Sequence, residues 1–130
     1  MEAKGASDEL IDWPAALAQC FGDEEFLREL LEELWRQTKQ TMIELRPAAL
    51  EEDGVTLHDL GHGLKGAAAN LMCHPLRIAA LAVEQDGSAV QKCTGEKIPE
   101  SLKRDMAAHV DRLEEECKAM ETELRRRKVI

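Results

Sequence analysis

The sequence predicts an all-α fold, an antiparallel four-helix bundle with a short additional helix at the N-terminus. Only 3% of the residues are aromatic and tyrosine is absent, whereas β-strands favour aromatic and β-branched residues. The strong helix formers Ala, Leu, Glu, Lys and Arg are abundant instead. Apolar residues recur three and four positions apart in four long segments joined by short turns, a pattern typical of helices packed side by side.

The composition also limits the partners and the cellular location. Acidic residues outnumber basic ones 26 to 17, for a net charge of -9. Because phosphate binding needs clustered positive charge, we expect no nucleic-acid partner, and we interpret the basic run 125–128 as a cationic helix end. No apolar stretch approaches the ~20 residues that span a bilayer, and no export signal is evident. We therefore expect a cytoplasmic monomer with no membrane contact and with reduced thiols at Cys20, Cys73, Cys93 and Cys117.

The chain length fits one domain. We expect a disordered lead-in over residues 1–7 and a single helical domain over residues 8–127. Ser7 is a suitable N-cap for a short helix that begins at Asp8. The apolar face of this first helix comprises Leu10, Ile11, Trp13 and Leu17.

The second helix is predicted to begin after Gly22, which suits a helix stop, and Asp23, which suits an N-cap. Apolar residues then continue at helical spacing to about Ala49. Pro47 predicts either a kink or the true end of this helix near Arg46, because proline disrupts a helix interior.

A turn at residues 53–54 precedes the third helix, which should end before Pro75 because a residue before proline avoids helical geometry. A fourth helix follows and ends near Gly87 or continues to Lys92. A loop over residues 93–97 leads to a long final helix with Pro99 in its first turn. The apolar stripe of the final helix comprises Leu102, Met106, Val110, Leu113, Cys117, Met120 and Leu124.

The third helix departs from local rules at Gly61, Gly63 and Gly66. Each glycine in a helix interior costs about 1 kcal/mol relative to alanine. Departures of this kind are typical of functional sites. A helical wheel places His62 opposite the apolar face of the same helix, which comprises Leu57, Leu60, Leu64, Ala67 and Leu71.

The neighbours of His62 on the helix surface favour phosphoryl chemistry. Lys65 and Gly66 lie three and four residues after it, so an imidazole, a cation and a bare patch of backbone share one face. A neutral imidazole is a nucleophile, and an ammonium pairs with a phosphoryl group. The same pattern also fits an ordinary exposed helix face, and spacing alone leaves both interpretations open.

The run from His62 to Leu71 resembles the signature of histidine-containing phosphotransfer (HPt) domains, H-x-L-K-G followed by small residues and a leucine. The likeness covers about residues 8–120. Upstream, Ile11-Asp12-Trp13 and residues 21–24 look like the opening of the family. Downstream, the helix that pairs with the histidine helix in the family is matched by Leu76, Ala79, Ala80 and Glu84.

By this resemblance the chain is a phosphocarrier in a two-component phosphorelay. His62 would accept a phosphoryl group from a receiver-domain aspartyl phosphate, Lys65 would stabilise it, and Gly66 would leave clearance for the receiver. The partners would be receiver domains of a hybrid histidine kinase and of a response regulator. These domains would supply the metal, so the chain itself needs no cofactor or metal and has no kinase activity.

Two positions depart from the family pattern. Ala67 replaces a frequent serine and lacks its hydroxyl. Met72 replaces a frequent glycine after the leucine, which predicts a different end for the third helix or an outward shift of the fourth. Neither position is the nucleophile.

Several alternatives remain at this point. His58, one turn before His62, is a rival nucleophile without a matching cation or glycine. His58 and His62 at positions i and i+4 could bind a metal if Asp59, Cys73 or His74 completed the site. A helical interaction module that binds receiver or kinase domains without carrying phosphate is the remaining functional alternative. We interpret His109, Trp13 and Trp35 as packing residues.

Overall fold

The computed structural model describes residues 9–130, and this part of the chain is helical and contains no strand. The predicted lead-in and the predicted cap and start at Ser7 and Asp8 lie outside the described residues. No helix from residue 9 onward is long and apolar enough to cross a membrane. The five helices are α1 (Trp13–Gln19), α2 (Glu24–Leu50), α3 (Gly54–Asn70), α4 (His74–Gln91) and α5 (Glu100–Arg126).

Helix α1 does not include Leu10 and Ile11, contrary to the prediction. It begins at Trp13, and the Asp12 carboxylate caps it by accepting from the Ala15 amide at 3.3 Å. An aspartate N-cap followed by a proline in the first turn is a strong start signal, which explains why the helix begins here. Ile11 is nevertheless buried in the core.

Helix α2 begins where the sequence predicts, since Asp23 Oδ1 accepts from the Phe26 amide at 3.1 Å. It does not end at Arg46 but continues through Pro47 to Leu50. Pro47 lies in the last turn, where its missing N–H removes one hydrogen bond, and its own carbonyl still accepts from the Glu51 amide.

Helix α3 ends at Asn70, before Pro75, as predicted. Residues 53–54 form its start and not a separate turn, because the Asp53 carboxylate caps the helix through the Thr56 amide at 3.1 Å. Helix α4 has Pro75 in its first turn and ends at Gln91, the longer of the two predicted spans. Met72 adopts a left-handed conformation (φ 58°) in the connection between them.

The predicted stripe of α5 faces the core, and all its members are buried except the partly buried Leu102. Around this stripe, α4 packs against α3 and α5, and α2 packs against α3, α5 and α1. Trp35 is buried in the core, and the partly buried Trp13 packs against the core. The guanidinium carbon of Arg127 lies 4.3 Å from the centroid of the Trp13 ring. Both tryptophans are thus packing residues.

Three glycines bring α3 and α4 unusually close. A Cβ at Gly61 would stand 2.5 Å from the Glu84 amide nitrogen, and one at Gly87 would stand 2.6 Å from the Gly54 carbonyl oxygen. A Cβ at Gly54 would meet the Gly87 carbonyl oxygen at 2.8 Å. The backbones of the two helices are therefore in direct contact, and this contact places Glu84 beside His62.

Candidate functional site

His62 stands on the solvent side of α3, with 65% of its side chain exposed. Its Nδ1 lies 3.0 Å from the Glu84 Oε2 of α4. A carboxylate accepts a hydrogen bond from a protonated ring nitrogen, so this contact favours the tautomer with the proton on Nδ1. Nε2 then carries the free lone pair, which makes His62 suited to nucleophilic attack on an incoming group.

Glu84 is held by two side chains of α3 and is only 13% exposed. The Lys65 Nζ lies 2.8 Å from its Oε1 and forms an ion pair with it. Lys65 lowers the pKa of Glu84 below its ordinary value, and His62 acts in the same direction against the opposing effect of partial burial. Glu84 is therefore a carboxylate at neutral pH and balances the charge of Lys65.

The predicted cation beside His62 is thus not a free ammonium. Lys65 shares the His62 face as expected, but it is 29% exposed and directed to Glu84 across the α3–α4 contact. The i+3 spacing within α3 places Lys65 beside His62, but it gives no information on Glu84, which α4 places opposite. Charge pairing between helices explains the difference.

His58 joins the same cluster. Its Nε2 lies 3.6 Å from Glu84 Oε2, the oxygen that also contacts His62, and its Nδ1 lies 3.3 Å from Asp59. The two imidazole rings are nearly parallel, with centroids 5.8 Å apart. Both ring nitrogens of His58 face carboxylates, whereas only one nitrogen of His62 does, so His62 is the better nucleophile by geometry.

The three glycines nearest His62 have different environments. A Cβ at Gly66 would have no heavy atom of residues 9–130 within 4 Å outside the backbone of its own helix, so this position is open to a partner. Gly63 is closer to α2, since a Cβ there would lie 3.1 Å from the side-chain nitrogen Nε2 of Gln37. Gly61 is buried against α4, which explains it by helix packing and not by access to His62.

A shallow groove lies between α2 and α3, and its lining begins on α3 at Ala67, the residue after Gly66. It is lined mainly by apolar atoms, and Asn70, Gln37 and Glu33 stand at its edge. Leu30, Leu34, Ala67 and Leu71 form its apolar lining. An open glycine beside an apolar groove is suited to contact with another protein.

The remaining histidines lie apart from this site. His74 is the half-buried first residue of α4. The His109 Nδ1 lies 2.7 Å from Oδ2 of the buried Asp86, so His109 joins α5 to α4 and does not lie in the apolar stripe.

Burial raises the pKa of the Cys73 thiol to about 12. Over residues 9–130, no three His, Cys, Asp or Glu side chains converge in a group that could hold a metal ion.

Glu84 is the site residue whose role the sequence analysis missed. The resemblance matched it only as a member of the helix beside the histidine helix. The sequence around Glu84 indicates a close helix contact, because the small residues Ala80 and Gly87 lie four residues before it and three residues after it on the same side of α4. Small residues at these spacings mark a face in close contact with another helix, and a carboxylate there needs a charged partner.

Comparison of the chain with protein-family models and with curated protein sequences gave no match.

Proposed function

We propose that this chain is a histidine phosphotransfer protein of a two-component phosphorelay, with His62 as the phosphate acceptor. The observation that carries the proposal is the His62 imidazole, which is exposed on one side and bound to a carboxylate through Nδ1. The motif H-x-L-K-G at residues 62–66 supports the same assignment.

In the proposed reaction, the Nε2 lone pair of His62 attacks the phosphorus of an aspartyl phosphate on a receiver domain. The P–O bond to the aspartate breaks, and the receiver carboxylate leaves with that electron pair. Phosphorylation of Nε2 leaves a positive charge on the ring while Nδ1 keeps its proton. Glu84 stabilises that charge from 3.0 Å away, and the reverse attack by a second receiver aspartate releases the phosphoryl group.

The proposed architecture is an antiparallel four-helix bundle of α2 to α5 with α1 at one end. Contacts along the chain support it: Gly54 meets Gly87 while Gly61 meets Glu84, so positions along α3 and α4 run in opposite directions. In this arrangement the open backbone at Gly66 and the apolar groove between α2 and α3 form the receiver-docking face.

The direct test is incubation with a phosphorylated receiver domain, followed by measurement of acid-labile phosphate on this chain. We expect His62→Gln to accept no phosphate, because it lacks the nucleophile, and His58→Gln to retain acceptance. The two variants change the same residue type one turn apart on one helix face, so each controls for the other. Wild-type acceptance by His62→Gln would refute the assignment.

A second prediction concerns docking clearance. We expect Gly66→Gln to reduce the rate of phosphotransfer by at least about tenfold, because a long side chain at this position projects from an otherwise open surface. Ala108→Gln, at an exposed position of α5, is the matched control and should transfer at the wild-type rate. Circular dichroism should show equal helicity in both variants. Equal transfer by the two would contradict the clearance role of Gly66.

One observation favours a second candidate, an interaction module that binds receiver or kinase domains without carrying phosphate. Lys65 already pairs with Glu84, so the ammonium three residues after His62 is not free for an incoming phosphoryl group. Receiver binding by both wild type and His62→Gln, with no acid-labile phosphate on either, would support this candidate over the phosphocarrier.

A further inference from the structure

His58 and His62 form a pair of imidazoles on one face of α3, and the two rings share one carboxylate oxygen. Glu84 Oε2 lies 3.0 Å from Nδ1 of His62 and 3.6 Å from Nε2 of His58. The rings are nearly parallel, and their centroids are 5.8 Å apart. A positive charge on either ring therefore acts on the other at short range.

The contact between α3 and α4 positions both members of this pair. A Cβ at Gly87 would collide with the amide nitrogen of His58 and would lie 2.8 Å from its Cα. Gly61 makes the corresponding close contact beside His62. Backbone packing thus brings both imidazoles to Glu84.

The two rings differ in how well their surroundings accommodate a second proton. Nδ1 of His58 lies 3.3 Å from Asp59 Oδ1 and Nε2 faces Glu84, so a ring protonated on both nitrogens presents an N–H to each carboxylate. A neutral ring has one proton and leaves one of these two contacts without it. His62 contacts a carboxylate through Nδ1 alone, so a proton on its exposed Nε2 gains no such partner among residues 9–130.

Two lysines complete the set of charges around the pair. Lys65 of α3 binds the other oxygen of Glu84, at 2.8 Å, and Lys92 of α4 lines a hollow beside His58. Within the described part of the chain, the rings have ion-pair contacts with Asp59 and Glu84 only, and α2 adds none. Both ammonium groups oppose protonation of the rings, so the pair accommodates one added proton more readily than two.

We propose that His58 is a positioning residue that takes the added proton of the pair and so keeps His62 unprotonated at Nε2. A protonated His58 is a cation 5.8 Å from the His62 ring and attracts the shared Oε2, and both effects disfavour a proton on His62. An acceptor needs the Nε2 lone pair to form its new bond. His62 therefore stays a nucleophile at lower pH than it would alone. The link to phosphate acceptance rests on the proposed function, whereas the proton coupling does not.

Glu84 keeps its charge while the imidazoles titrate. Lys65 lowers the pKa of Glu84 below its ordinary 4.5, with help from His62. Imidazoles titrate near neutral pH, well above that range. The shared carboxylate is thus constant, and a titration in this range reports on the rings.

The test is a titration of the unphosphorylated full chain, labelled with ¹⁵N in its histidines, between about pH 5 and 9. Ring ¹⁵N shifts report the protonation of each imidazole, and we expect His58 to take up its proton before His62 as the pH falls. His58→Gln should move the titration curve of His62 upward by about 0.3–1 pH unit, as expected for two charges about 6 Å apart near a surface. His62→Gln should move the curve of His58 upward by the same amount, because coupling between two sites is reciprocal.

Two further variants separate charge from shape. His58→Lys keeps a cation at this position, so the titration curve of His62 should stay at or below its wild-type position. His74→Gln makes the neutral change at a histidine outside the site and should leave that curve unchanged.

Phosphate acceptance from a phosphorylated receiver provides a second readout. At about pH 5.5, His58→Gln should accept about threefold more slowly than the wild type, since half a pH unit changes the unprotonated fraction of His62 about threefold. The difference should shrink toward about pH 8, and His58→Lys should restore the rate at low pH. Comparing the variants at each pH removes the pH dependence of the phosphate donor.

Three outcomes would overturn the proposal. An unchanged titration of His62 in His58→Gln would show that the rings are not coupled. Protonation of His62 before His58 would reverse their roles. Identical curves for His62 in His58→Lys and His58→Gln would show that charge is not the cause. Coupled titration with no phosphate acceptance at any pH would confirm the coupling and refute the phosphocarrier, so the two failures are distinguishable.

Discussion

Gly61 and Gly66 are the same residue type on the same helix, five positions apart, and their surroundings give opposite expectations for substitution. A Cβ at Gly61 would lie 2.5 Å from the Glu84 amide nitrogen and 2.6 Å from the Ala80 carbonyl oxygen. Both neighbours are backbone atoms of α4, so relief requires moving a whole helix. A Cβ at Gly66 would meet no heavy atom from any other helix of residues 9–130 within 4 Å.

We therefore expect Gly61→Ala to lower the free energy of unfolding by about 2 kcal/mol or more, through overpacking. Gly66→Ala should raise it by about 0.5–1 kcal/mol, because alanine restricts the unfolded chain and favours the helix. Urea denaturation of the two variants beside the wild type measures both changes. A Gly61→Ala variant at least as stable as the wild type would show that the close contact between α3 and α4 is absent.

At the residue scale, the exposure of His62 and its spacing to Lys65 and Gly66 follow from sequence, because both are properties of one helix. The contact between His62 and Glu84 does not. It joins residues on two helices, and its distance depends on how closely those helices pack. That closeness depends in turn on Gly61 and Gly87, whose packing role becomes visible only when both helices are in place.

At the scale of elements, the connection between α1 and α2 contains conformational strain. Phe21 has φ 57° and is 94% exposed, and Gly22 follows with φ 77°. The left-handed region costs a non-glycine residue about 1–2 kcal/mol, and asparagine tolerates it better than phenylalanine. Phe21 has little packing to compensate for this cost.

We expect Phe21→Asn to raise the free energy of unfolding by about 0.5–1 kcal/mol, because strain falls and almost no buried contact is lost. Gly22→Ala should lower it by about 1 kcal/mol, since alanine has a Cβ in a left-handed conformation. Thermal and urea unfolding of both variants provide the measurement. A destabilised Phe21→Asn would show that the exposed ring contributes to stability.

Helix α4 contains two acids whose pKa values shift in opposite directions. Lys65 lowers the pKa of Glu84 below its ordinary 4.5, with help from His62. Burial raises the pKa of Asp86 above its ordinary 3.8, against the opposing effect of His109. Glu84 therefore stabilises the fold when ionised, and this contribution is lost as pH falls through its lowered pKa. Asp86 contributes stability below its ordinary pKa, and this contribution is lost as pH rises through its raised pKa.

Unfolding free energies measured between acid and neutral pH should show both signs. The stability of the wild type relative to Glu84→Gln should increase with pH in the range below 4.5. Its stability relative to Asp86→Asn should decrease with pH in the range above 3.8. Parallel pH profiles for the two differences would contradict this assignment of charges.

At the scale of the whole molecule, the all-helical fold and most helix spans follow from composition, apolar spacing and capping residues. Asp23 begins α2 as predicted because its cap is a local interaction. The prediction that α1 includes Leu10 and Ile11 was wrong, because the Asp12 carboxylate and the following Pro14 determine a start at Trp13. Apolar spacing predicts α2 to about Ala49, close to its end at Leu50, whereas the proline rule alone favours an end near Arg46. Packing of Ala48 and Leu45 in the core supports the last turn.

The backbone contact between α3 and α4 determines which parts of the molecule tolerate sequence change. Gly61, directly before His62, has no side chain, and its Cα faces the backbone of Glu84. The position of the imidazole relative to its carboxylate is therefore set by main-chain atoms, which are the same whatever residues occupy the surface. Exposed positions around His62 other than Asp59, Lys65 and Gly66 are free to diversify toward different partners, while Gly61 and Gly87 must stay glycine for the imidazole and the carboxylate to remain aligned.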